Sequence, residues 1–167
     1  MTNPLTKTEA ALLYGYGYRL VDKYKKVWNI IVPLTGSRFV IQQAGANQRT
    51  IGWEQIGTDY HVLVHPLSRL TTEIEGIGVA IVGLAKKAFP GLKFYVASDF
   101  SCRSLPEDER TRFAYRKDLK SFAYNYHGLT IQTYTVPNQQ SLFAQMYAWH
   151  FDCCNFIERG IGKEITV

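Results

Sequence analysis

The chain reads as α+β: a small antiparallel, barrel-like N-terminal sheet packed with helices, then a later β-hairpin and a long C-terminal helix. Three observations predict this. Short alternating or β-branched runs, split by turn residues, fill positions 14–65. Helical and strand patterns mix over 67–135. An aromatic-rich helical period then runs from about 138 to 159. At 167 residues the whole fits one domain, able to bury roughly two thirds of its unfolded surface.

Tyr16–Val21 alternates as a strand, and Asp22-Lys23 can turn. Val27–Val32 is a β-branched run halted by Pro33, and Leu34–Ser37 turns again. Arg38–Ile41, Thr50–Trp53 and Tyr60–Val64 complete five short strands. Leu67–Glu73 suits a short turn or helix, and Ile77–Phe89 has the length of a helix ended by Pro90-Gly91. Lys93–Ala97 predicts a strand. Pro106-Glu107-Asp108-Glu109 predicts the start of a polar helix, with Arg116, Lys117 and Lys120 toward its positive-favouring end. Residues 121–127 and 129–135 predict a hairpin around His127-Gly128. Asn138 then caps a helix whose apolar positions recur at Leu142, Met146, Trp149, Cys153 and Ile157. Arg159 and Gly160 supply the stop signal. Such a helix serves the core or a dimer interface.

Composition narrows the function classes. With 11 Tyr and 9 Phe, the chain has many flat faces for stacking or for a wet interface. The net charge of +5 favours anionic partners. Three Cys, two of them neighbours in sequence, fit a reduced cytoplasmic protein, and no apolar run approaches the roughly 18 residues of a membrane span.

Two segments carry a resemblance. His65-Pro66-Leu67-Ser68-Arg69-Leu70-Thr71-Thr72-Glu73-Ile74 is one; Asn138-Gln139 through Trp149-His150-Phe151-Asp152 to Ile157-Glu158-Arg159-Gly160 is the other. They resemble strings in a family of small uncharacterised proteins of Bacteroidetes-type phages and mobile elements, with His65 where that family has Arg. The resemblance implies a viral or mobile-element accessory protein that counters host defence in the bacterial cytoplasm. It carries over no activity.

Several constellations bear on chemistry. His61 and His65, four apart on a strand, share a face, but Leu63 and Leu67 stand where a two-histidine phosphoesterase has Ser or Thr. Partly buried histidines are the favoured reading. His150 and Cys154 share a helical face without a third orienting group, which argues against nucleophilic catalysis. Arg112 and Arg116, one helical turn apart, would clamp phosphate or pair with Glu107–Glu109 on a solvated face; the latter is favoured. Tyr14, Tyr16 and Tyr18 would line one strand face beside Arg19 and Lys23, a stacking surface or a plain aromatic core.

The leading expectation is a non-enzymatic protein that sequesters a small phosphorylated, nucleotide-like ligand, with no metal or cofactor. The residues picked for contact are Tyr16, Tyr18, Trp28, Arg38, Arg112, Arg116, Tyr126 and His150. A nucleic-acid or host-protein partner is the alternative, and a metal-independent phosphodiesterase the second alternative.

Overall fold

The computed structural model describes residues 5–45, 47–98, 100–105, 111–126 and 133–165. In chain order its elements are α1 (Lys7–Gly15), β1 (Arg19–Asp22), β2 (Val27–Leu34), β3 (Arg38–Gln42), β4 (Gln48–Gly52) and β5 (Tyr60–Val64). There follow β6 (Glu73–Ile74), β7 (Gly78–Val79), α2 (Ala80–Ala88), β8 (Lys93–Ser98), β9 (Ser101–Leu105) and β10 (Thr111–Arg116). The last are β11 (Ser121–Tyr126), β12 (Thr133–Thr135), α3 (Gln139–Ala148) and β13 (Gly162–Glu164). The chain divides into two compact units, Met1–Pro66 with Met146–Val167, and Leu67–Gln145.

In the first unit, the predicted strand at 16–21 is shortened by a helix that the alternating pattern concealed. Thr6 and Glu9 form a capping box: the Thr6 hydroxyl accepts the Glu9 N–H at 3.2 Å, and the Glu9 carboxylate accepts the Thr6 N–H at 2.9 Å. This starts α1. Gly17, at φ +65°, ends it, with Tyr18 N–H bonding Leu13 O and Gly17 N–H bonding Tyr14 O. Tyr14 and Tyr16 therefore belong to a helix and its cap, not to a strand face with Tyr18.

The six-stranded sheet has the order β13-β5-β1-β2-β3-β4 and is open, which corrects the barrel-like expectation. To close a barrel, β5 would have to meet β4. Its second edge is instead taken by β13, in parallel register from Gly162↔Val62 to Glu164↔Val64. β2 also runs through Pro33, which pairs with Phe39; β1 accompanies β2 only as far as Asn29, so no ladder donor is required of the proline on that side. Leu20, Trp28, Ile30, Phe39, Ile41, Val62 and Val64 alternate inward and pack with Leu13, Phe156 and Ile161.

In the second unit, β8–β12 form an antiparallel sheet in the order β12-β11-β10-β9-β8, and β6 pairs β7 alone. α2 buries Ala80, Ile81, Leu84 and Ala85. It begins later than the expected Ile77, because Gly78, in the left-handed region at φ +78°, and Val79, which is extended, are taken up in the pairing of β7 with β6. The expected polar helix is corrected. Residues 106–110 lie outside the described residues, and 111–116 is β10. Thr111, Phe113 and Tyr115 are buried while Arg112, Ala114 and Arg116 alternate with them; this period of two overrode the acidic start signal. The hairpin pairs β11 with β12, from Ala123↔Thr135 to Asn125↔Thr133, and its tip at His127-Gly128 lies outside the described residues. No helix among the described residues is long and apolar enough to cross a membrane.

The C-terminal helix is also shorter than expected. α3 stops at Ala148, where His150 takes the left-handed conformation at φ +58°. Its N–H bonds Tyr147 O at 2.9 Å, and Phe151 N–H bonds Met146 O at 3.0 Å, the pattern of a Schellman stop with His in the glycine position. His is among the few residues enriched there. The Asp152 carboxylate then accepts Phe156 N–H at 2.6 Å and Ile157 N–H at 3.0 Å, holding a separate turn that Gly160, at φ +74°, closes.

Gly162 lies against that turn: a Cβ there would sit 2.8 Å from Phe156 Cβ and 2.9 Å from Ile157 N. Gly162→Ala is expected to lose about 2 kcal/mol in urea unfolding through overpacking. Gly15→Ala meets nothing within 4 Å and should be neutral or stabilising.

Candidate functional site

The β1–β2 turn sets up the site. Asp22 is buried at the end of β1, and its carboxylate accepts three N–H donors. Oδ1 takes the Tyr24 and Lys26 amides at 2.9 Å each; Oδ2 takes Trp28 Nε1 at 3.1 Å. Burial alone would raise its pKa, but the donors and the Lys26 charge outweigh that and hold it below the usual carboxylate value. This Asx-type turn, with Lys25 at φ +63°, leaves Lys23 and Tyr24 pointing out, Tyr24 with 71% of its surface exposed.

Beside the turn lies a cleft of about 320 Å³, lined by Asp22, Lys23, Tyr24, Arg49, Gln55, Asp59 and Tyr60. Arg49 reaches it from β4, its guanidinium 5.0 Å from the centre of the Trp28 ring. Tyr60 stands edge-on to Trp28 at 6.3 Å. Lys23 Nζ lies 5.3 Å from the Tyr24 ring. Gln55 is fixed on both sides, its oxygen accepting Gly52 N–H at 2.9 Å and its nitrogen 3.4 Å from Asp59 Oδ2. Two cations, an exposed tyrosine face and a polar Gln55–Asp59 edge can together hold a small anion bearing a flat polar ring.

The eight residues picked from sequence are scattered. Trp28 is buried and acts from beneath the cleft, supporting Arg49. Tyr16, Tyr18 and His150 do come together elsewhere in the first unit. His150 Nε2–H donates to Tyr16 O at 3.0 Å, its ring lies 4.7 Å from Tyr18, and the Tyr18 hydroxyl donates to Phe151 O at 3.1 Å. Tyr147 covers Tyr16 at 5.4 Å. This is a packed junction. Arg38 is exposed at the start of β3. In the second unit, Arg112 donates to Ser101 Oγ at 3.3 Å, Arg116 pairs with Asp118 at 2.9 Å, and Tyr126 is 53% exposed beside Tyr124.

The weighed chemistries fare differently. With α3 ended at Ala148, His150 and Cys154 do not share a helical face. His61 is half-buried and held below the ordinary imidazole value by burial and by Lys163, while His65 is buried with its ring 5.7 Å from Phe151. Burial pushes the Cys102 thiol up to about 12, away from thiolate chemistry. Among the described residues no group of three or more His, Cys, Asp and Glu could hold a metal.

Sequence reading missed Tyr24, Arg49, Gln55, Asp59 and Tyr60. The available signal was Asp22 two residues before Tyr24 in a lysine-rich turn. Comparison with protein-family models, curated proteins and solved structures finds no match to this chain.

Two outcomes follow. Asp22→Ala leaves the Trp28 N–H and two amides without their charged acceptor and is expected to cost about 3 kcal/mol in chemical unfolding. Burial, outweighing the bond to Tyr16 and helped by Arg19, holds His150 below the ordinary imidazole value, so the unfolded chain takes up its proton first. Stability should therefore fall as pH drops through about 6.5, and a His150→Asn variant should show a flatter thermal midpoint there. Asp152 acts in the opposite sense at lower pH, because burial raises its pKa despite its two backbone donors.

Proposed function

We propose that the chain is a phage or mobile-element accessory protein that binds and holds a small phosphorylated, nucleotide-like ligand, removing it from a host signalling pool. The observation that carries this reading is the cleft at the β1–β2 turn. Lys23 and Arg49 there stand beside the exposed face of Tyr24 and the hydrogen-bonding edge of Gln55 and Asp59. Its volume, about 320 Å³, falls within the roughly 300–1,000 Å³ common for ligand clefts. Phosphate goes to the cations, the base stacks on Tyr24, and Asp59 with Gln55 reads a polar ring edge or a ribose hydroxyl. The host-defence part of the proposal comes from the resemblance of the 65–74 and 138–160 segments.

A second reading, nucleic-acid binding, is favoured by one feature of the second unit. Across its sheet, Tyr95, Arg103, Arg112 and Asn125 lie directly opposite one another in register. Affinity on this surface would rise with strand length and fall with salt.

Equilibrium dialysis of the full chain against cyclic nucleotides and ADP-ribose derivatives tests the first reading. Stoichiometric retention of one compound, recovered intact after heat denaturation, is expected. Arg49→Ala and Lys23→Ala should each weaken it about tenfold, the loss of one charge-assisted contact. Tyr24→Ala should do the same through lost stacking, at about 1–3 kcal/mol. Passage of every compound untouched overturns the reading. Recovery as products makes the protein an enzyme.

A further inference from the structure

The second unit ends in an edge strand that is poorly protected. β8 is the last strand in its sheet order, so among the described residues only β9 hydrogen-bonds its backbone. Proteins guard such edges with charges, prolines or bulges. β8 has a lysine at its first residue, Lys93, and an irregular register at Val96/Ser98, and both lie at its ends. The middle, Phe94-Tyr95-Val96, carries no charge, and Tyr95 and Val96 are exposed.

Alongside this edge runs a groove of about 410 Å³. Ile77, Val79 and Val82 line it from the β7–α2 segment, and Phe94, Tyr95 and Val96 from β8. Phe94 and Val96 are two apart on one face of β8, the spacing at which an added strand presents alternate side chains. Gly78 and Gly83 in the lining leave room for a backbone to approach. Lys86 is the one charged residue of the lining, and it is exposed.

We propose that β8 is a docking edge for an extended segment of a partner protein, one with apolar side chains at alternate positions and a carboxylate facing Lys86. Main-chain bonds to β8 give the affinity; the groove and Lys86 give the selectivity. Charge decides between this occupant and a second copy of the chain. A two-fold contact through the same edge would bring a second Lys86 and a second Lys93 into the interface, whereas an acidic segment neutralises them.

The test uses the full-length protein and a labelled nine-residue peptide with Val or Ile at alternate positions and Glu between them, read by fluorescence anisotropy. Saturable binding is expected, about tenfold weaker for the same peptide with Lys in place of Glu. Lys86→Glu, at an exposed site that leaves the core intact, should reverse that preference. N-methylation of the alternate amides that face β8 should abolish binding, and methylation of the other set should not. Equal affinity for both peptide charges, or indifference to N-methylation, overturns the proposal. So does a dimer in sedimentation equilibrium that the peptide cannot displace and Val96→Lys dissolves, since the edge then belongs to a second copy.

Discussion

The first unit depends on how the second edge of β5 is satisfied. Val62 and Val64 are fully buried, so their backbone groups cannot turn to water and must be bonded within the chain. The C-terminal segment does this. His65 N–H bonds His150 O at 2.8 Å, Asp152 N–H bonds His65 O at 2.9 Å, Val62 N–H bonds Ile161 O at 2.9 Å, and Ile165 N–H bonds Val64 O at 2.9 Å. For those bonds to form, α3 must end at Ala148 and the chain must turn twice before β13. His150 supplies the first turn and the Asp152 carboxylate the second. Arg159, from that second turn, pairs with Glu9 of the α1 capping box, so the N-terminal helix is fastened to the same segment. The open sheet follows from this pairing, because the edge that barrel closure would use is already occupied.

What the sequence disclosed divides along the range of the interactions. The strands at Val27, Arg38 and Tyr60 were legible because β-branched and aromatic alternation is a local property, as was the N-terminus of α3, whose first bond runs from Leu142 N–H to Asn138 O. Gly160 does take the left-handed conformation expected of it, yet it closes a short turn rather than a long helix. The true stop, His150, carries no strong sequence signal, since His at that position costs more than Gly and is held there by the pairing with His65. β13 was illegible for the same reason. Three residues, Gly162-Lys163-Glu164, have no strand propensity of their own and are extended because β5 offers an edge. The polar helix expected from Pro106 shows the opposite failure: charges suggested a dipole, while Phe113 and Tyr115 set the period.

The candidate site was legible only as composition. A surplus of tyrosine and a positive balance pointed to a stacked anion, but nothing local joined Arg49 of β4 to Tyr24 of the β1–β2 turn or to Asp59 before β5. Their meeting is a product of sheet topology: β1 lies between β5 and β2, and Arg49 stands opposite Ile41, itself opposite Ile30, two residues on from Trp28. Trp28 was picked as a stacking residue and instead works indirectly. Its N–H helps fix Asp22, which shapes the turn carrying Tyr24, and its ring carries Arg49. One buried indole thus positions two contacts of the cleft without facing it.

The placement of charge bears on what such a cleft does well. Lys23, Lys25 and Lys26 are exposed on the turn and Arg49 lies across from it, so four of the chain's cations crowd one end of the first sheet. Asp22 and Asp59 lie among them and offset part of that charge, since a hydrogen-bonded carboxylate keeps its full negative charge, and the local balance, four cations to two carboxylates, stays positive. A field of this kind draws anions from several ångströms away and raises the rate of encounter more than it deepens the final well. On the reading proposed above, in which the protein competes with a host receptor for a scarce ligand, capture rate matters as much as affinity, since the ligand goes first to whichever site meets it first. The gain is confined to within about 8 Å at physiological salt, which sets it at the scale of the turn itself. On that reading Lys25 and Lys26, which do not line the cleft, add to capture through the field alone, and the turn that Asp22 holds is both a wall of the cleft and a source of that field.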